Sequence, residues 1–95
     1  PYRYLCSLLL RGGSEAELQI EAQKMKSMLV EYSGNVRILG PVELGKQKNE
    51  YRIRILLKSK SENDLMVVAQ NARAYHLNHK LKGTLDIDMN PYIID

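Results

Sequence analysis

Neither tryptophan nor phenylalanine occurs in these 95 residues, and cysteine occurs once. The missing large aromatics remove the usual means by which an RNA-recognition sheet stacks bases, and Tyr4 and Tyr51 fall on the core-facing parity of their strands. A lone Cys6 cannot form an internal disulfide or a cysteine cluster for zinc. It lies in an apolar segment, with no cation or histidine beside it in sequence to lower its pKa, and reads as a core thiol. Long apolar runs are absent as well. Leu8-Leu9-Leu10 is far too short to cross a bilayer, nothing resembles a signal peptide, and a cytoplasmic location is expected. Catalytic signatures are missing too. The chain has no Gly-x-x-x-x-Gly-Lys phosphate loop, no Gly-x-Ser-x-Gly elbow, no His-Glu-x-x-His and no Cys-x-x-Cys, so enzymatic activity is not expected of it.

What is present suits one globular domain spanning 1–95. The chain is 44 % hydrophobic and 26 % charged, which excludes a disordered tail. A chain of this size buries roughly 60–65 % of its unfolded surface and needs no metal or disulfide to fold. It opens at Pro1 without an initiator Met, which suggests a piece of a larger protein. The net charge of +3 decides little by itself, so the placement of the cations carries the information.

Tyr51-Arg-Ile-Arg-Ile-Leu-Leu-Lys58 is the most informative stretch. Ile53, Ile55 and Leu57 take one side of a period-2 strand, while Arg52, Arg54 and Lys58 take the other. Tyr4–Leu10 reads as an earlier strand stopped by Gly12-Gly13. Ser14 and Glu17 then form a capping box, and Leu18, Ala22, Met25, Leu29 and Tyr32 make one apolar helical stripe. Val36–Leu39 predicts a short strand stopped at Gly40-Pro41, and the polar stretch up to Glu50 predicts a flexible loop with Lys46 and Lys48 near its tip. Ser61 and Asp64 open a second helix running to about Lys80. Its apolar side is Leu65, Val68, Ala69, Ala72 and Tyr75 or His76, and Gly83 is its expected stop. Thr84–Met89 alternates as a last strand, until Asn90-Pro91 breaks it.

This order gives an α+β, ferredoxin-like split βαββαβ fold, a four-stranded antiparallel sheet with two helices on one face. The open face would carry Arg37, Arg52, Arg54 and Lys58 on one side and Asp86 and Asp88 on the other, with Leu5, Leu9 and Leu56 between. The cations suit phosphate contacts or simply a solvated face, and the leucines suit docking to a partner. Asp86 and Asp88 read as an edge-blunting pair rather than a metal or acid–base pair. His76 and His79 have no evident third ligand, so no metal site is expected.

Pro1-Tyr2-x-Tyr4-Leu5, Leu39-Gly40-Pro41-Val42, Tyr51-Arg52 and Leu85-Asp-Ile-Asp-Met-Asn-Pro91 together resemble the C-terminal domain of the primosomal replication-restart helicase PriA, or primosomal protein N′. The resemblance spans the whole chain. It implies a fold similar to ribosomal protein S10 and a non-catalytic module of a nucleoid-associated, ATP-dependent 3′-to-5′ DNA helicase, whose ATP, Mg and Zn sites lie in other domains. By position it places DNA-backbone contact on the loop Glu43–Glu50 and on Arg52. With the cations and leucines of the open face this gives expected contact with single-stranded or forked DNA through Arg37, Lys46, Lys48, Arg52, Arg54 and Lys58, and docking to the remainder of the helicase through Leu5, Leu9 and Leu56. The single-stranded-DNA-binding protein and primosome-loading proteins are further implied partners. Glu62 and Asp64, however, stand where some relatives carry a cation, and they would repel an acidic peptide. A purely protein-binding module is the alternative.

Overall fold

The computed structural model describes residues 3–90. The Asn90-Pro91 stop and the Pro1-Tyr2 motif therefore lie wholly or partly outside the described residues. β1 (Tyr4–Gly12), α1 (Glu15–Glu31), β2 (Arg37–Gln47), β3 (Glu50–Ser59), α2 (Glu62–Asn78) and β4 (Thr84–Asn90) follow one another along the chain. The sheet order is β2-β3-β1-β4, and each neighbouring pair is antiparallel. This is the ferredoxin-like order expected from the strand and helix pattern.

The period-2 alternation sets the two layers. Cys6, Leu8 and Leu10 of β1 and Ile53, Ile55 and Leu57 of β3 are buried, together with Leu18, Ala22, Met25 and Leu29 of α1 and Leu65, Val68, Ala69 and Ala72 of α2. Tyr4, Tyr51, Tyr75, Leu85 and Ile87 pack against this core from its margins. Each fully buried leucine or isoleucine contributes about 1.5–3 kcal/mol of transfer free energy, so the stability resides in this one layer between helices and sheet.

Both helices start as their caps require. Ser14 Oγ accepts from the Glu17 N–H at 3.3 Å, and Ser61 Oγ accepts from the Asp64 N–H at 3.2 Å. The α1 stripe is one residue shorter than expected, because Tyr32 is the C-cap and is 66 % exposed. Gly83 does not stop α2, which ends at Asn78 with Lys80 in the left-handed region. Gly83 serves close packing instead. A Cβ there would meet Leu18 Cδ1 at 2.8 Å and the Arg11 carbonyl at 3.1 Å.

The largest departure concerns β2. The expected short strand and flexible loop are one 11-residue strand, joined to β3 by a tight hairpin turn. Lys48 and Asn49 occupy the turn with φ of 52° and 66°, the left-handed pair that a two-residue hairpin requires. Gly40-Pro41 does not end the strand, because the pairing steps over it. Leu39 faces Leu56 and Val42 faces Arg54, so β2 advances three residues while β3 advances two. A second irregularity follows between Glu43, opposite Ile53, and Gly45, opposite Arg52. Such bulges place a proline where no ladder donor is needed.

Candidate nucleic-acid interface

The register lays the open face out as a grid. Arg37 sits directly opposite Lys58, which sits opposite Leu5. In the next row Leu39, Leu56, Ser7 and Asp88 lie side by side, and then Val42, Arg54, Leu9 and Asp86. The last row holds Gly45, Arg52, Arg11 and Thr84. Cations thus gather on β2 and β3, and carboxylates on β4.

Arg37, Arg54 and Lys58 form no ion pair among the described residues. Like charges held directly opposite across a strand pair repel, so the Arg37–Lys58 pair carries a cost that a bound anion would relieve. Leu5, Leu56 and Leu9 are diagonal neighbours on this face, half-buried, and Leu39 and exposed Val42 widen the strip. Among the described residues no aromatic ring lies on it. Tyr4 and Tyr51 face the core, as their parity requires.

The hairpin changes the surroundings of three of the expected contacts. Lys46 pairs with Tyr51, whose side chain points to the helix side, and its Nζ rests 5.3 Å from the centre of that ring. The two bulges shift the alternation of β2, so Lys46 lies across the sheet from Arg54 rather than beside it. Lys48 is exposed in the turn, in an ordered hairpin rather than a flexible loop. Arg52 is partly spent on the fold. Its Nη2 donates to the Leu44 carbonyl at 2.9 Å, in the second bulge, and its buried Nε has no partner among the described residues. Lys26 of α1 donates to the Gly40 carbonyl in the first bulge in the same way. Both bulges thus have a carbonyl taken up by a cation.

Arg11 carried no signal in the sequence beyond its charge, yet it joins the two halves of the face. Its guanidinium donates to Asp86 at 2.7 Å and to Glu50 at 2.9 Å. The hydrogen bond and charge of Asp86, then those of Glu50, hold this guanidinium above its ordinary range. Asp86 is therefore engaged, whereas Asp88 has no ion pair among the described residues.

The two histidines have structural partners. His76 Nε2 pairs with the Gly83 carbonyl, and His79 stacks on Tyr75 while its Nδ1 bonds the Tyr75 carbonyl at 3.1 Å. Among the described residues no three His, Cys, Asp or Glu side chains gather as a metal site, and no helix is long and apolar enough to cross a membrane.

Cys6 is fully buried, and desolvation, helped by the charge of Asp88, raises its thiol to about 11. The native thiol should therefore resist a disulfide reagent at pH 8.5 and react only at the rate of unfolding, while urea-unfolded protein labels at once. Rapid labelling of the native protein would contradict this burial. The linkage has a definite sign. The unfolded thiol ionises near 9.0 and the folded one near 11, so its contribution is complete below pH 9 and falls away as pH rises towards 11.

Comparison with solved structures places the fold. The de novo designed protein Foldit4 aligns with a TM-score of 0.73 at 7 % identity, covering 92 % of this chain and 94 % of that one. A dimeric ferredoxin-like protein from an uncultured marine organism aligns with a TM-score of 0.57 at 19 % identity, covering 96 % and 93 %. A putative glycine cleavage system transcriptional repressor aligns with a TM-score of 0.60 at 14 % identity, covering 95 % of this chain and 49 % of that one. At these identities the likeness concerns the fold alone. No curated protein matches. Residues 1–92 match the family described as the primosomal protein N C-terminal domain, so the chain belongs to that family, which ties its role to the primosome.

Proposed function

We propose that this chain is a non-catalytic DNA-binding and docking module of a replication-restart helicase, which grips single-stranded or forked DNA by its backbone phosphates. The observation that carries the reading is the cation cluster on the β2–β3 half of the open face, without an ion pair among the described residues, with Arg37 opposite Lys58 and Arg54 two pairs along. Phosphate oxygens satisfy such a cluster without any base-stacking ring. Lys48 extends the basic region at the hairpin tip. Arg52 is a lesser contact because part of its donor set is held by Leu44. The neighbouring strip of Leu5, Leu9 and Leu56 would seat the remainder of the helicase, with the ATP-dependent chemistry lying outside this domain.

That strip also supports a second reading, a purely protein-binding module within the primosome. Fluorescence anisotropy with labelled single-stranded, duplex and forked DNA at two salt concentrations separates the two. Salt-sensitive binding supports the first, and absence of binding even at low salt leaves the second.

Arg37→Glu offers a sharper discrimination. It converts a repulsive cross-strand pair with Lys58 into an attractive one, and should raise stability by about 0.5 kcal/mol. It should at the same time weaken DNA binding. Urea melts and anisotropy on one preparation would show the two changes with opposite signs, and unchanged DNA affinity would remove Arg37 from the interface.

A further inference from the structure

β4 is an edge strand. β1 pairs with one side of it, and among the described residues no strand pairs with the other side over Thr84–Asn90. Such an edge presents alternate backbone N–H and C=O groups that a further strand can use. Beside it runs α2, and between the two lies a cavity of about 140 Å³ lined by Met66, Ala69, Gln70, Arg73, Ile87 and Met89. Met66 and Met89 are 44 % and 36 % exposed, a large apolar outlay on so small a surface. A groove bounded by a helix and an open strand edge is the arrangement in which proteins capture extended segments by strand addition.

We propose that the β4 edge binds an extended segment of a partner protein in which apolar residues alternate with Lys or Arg. The apolar side chains enter the Met66–Met89 groove, which has room for about one leucine or methionine side chain at a time. Arg73, which lines the groove, disfavours cations on that side. On the opposite side of the added strand, side chains lie beside Asp86 and Asp88. Asp86 is already bound to Arg11, so Asp88 is the carboxylate that selects the basic residue. Period-2 alternation follows from the strand geometry, and its polarity from the charges on the two sides.

The same charges disfavour a second copy. In a two-fold antiparallel pairing of β4 with itself, residues directly opposite share a face. Every register centred near Ile87 then sets Asp86 or Asp88 of one chain opposite Asp86 or Asp88 of the other. This site does not rest on the DNA reading: its groove is on the helix side of the sheet, and on the open face it uses only Asp88 of β4, two strands away from the β2–β3 cations.

The test uses fluorescein-labelled ten-residue peptides, one alternating Lys and Val, one alternating Glu and Val, and a Lys/Val peptide with alternate backbone nitrogens methylated. The Lys/Val peptide should bind saturably and slow amide exchange in residues 84–90. The Glu/Val peptide should bind roughly tenfold more weakly, and Asp88→Lys should reverse that preference. The methylated peptide should lose affinity, because it cannot add to the edge. Met66→Asp, an exposed position on α2, should abolish binding without unfolding the chain. Equal affinity for both peptides, protection at β2 instead of β4, or concentration-dependent self-association through β4 in sedimentation would each overturn the proposal.

Discussion

Replacing Arg37, Arg54 and Lys58 together by alanine should lower affinity for single-stranded DNA by roughly a hundredfold at low salt, each lost charge-assisted contact costing about 1 kcal/mol or more. The three cations share one face and one edge of the sheet and form no ion pair among the described residues, so their removal leaves no buried carboxylate unpaired. The fold should survive. The salt dependence provides the second signature. With about four phosphates neutralised on a single strand, the slope of log K against log salt should be near −2.8, so affinity falls roughly fifty-fold between 50 and 200 mM salt. The triple variant should flatten that slope by about two. Anisotropy titrations at four salt concentrations measure both quantities. Unchanged affinity and slope, with an intact circular dichroism spectrum, would leave DNA binding without its proposed basis.

The second large effect concerns stability. Leu8 lies at the centre of β1, between Ile55 of β3 and Ile87 of β4, and is completely buried beneath the helices. Leu8→Ala should cost about 3 kcal/mol, from lost transfer energy and the cavity left behind. A domain of this size has roughly 5–15 kcal/mol in total, and the melting temperature should drop by about 12–24 °C. Ser7→Ala, one residue away on the opposite face, should change stability by no more than about 0.5 kcal/mol. Equal effects at both positions would contradict the assignment of faces. Calorimetry on the two variants decides it.

That contrast between neighbouring residues was already legible in the sequence, because a strand's alternation is local. Ile53, Ile55 and Leu57 against Arg52, Arg54 and Lys58 fix the two faces of β3 whatever surrounds it. The α1 stripe of Leu18, Ala22, Met25 and Leu29 and the caps at Ser14 and Ser61 are local in the same sense. From these come the element order, the sheet order and the identity of the open face.

The hairpin was not legible, because its bulges are defined by a partner strand. Gly40-Pro41 is a stop signal in isolation, since proline gives no N–H to a ladder. Only pairing with β3 shows that an extra residue carries the chain past it, and that the alternation then shifts so that Lys46 lies over Tyr51. Arg52 reads as an open-face cation until the Leu44 carbonyl is found beside it, and nothing in the sequence joins Lys26 to the Gly40 carbonyl. Gly83 looks like a helix stop until Leu18 and Arg11 are seen to press against it from other elements.

The sequence by itself determined the order of the elements, the helix starts and the faces of β1, β3 and β4, because periodicity and capping act within a few residues. Tertiary structure alone decided which cations stay available. Whether a lysine or arginine meets solvent, a ring, a carboxylate or a bulge carbonyl depends on groups that only the fold brings within hydrogen-bonding distance.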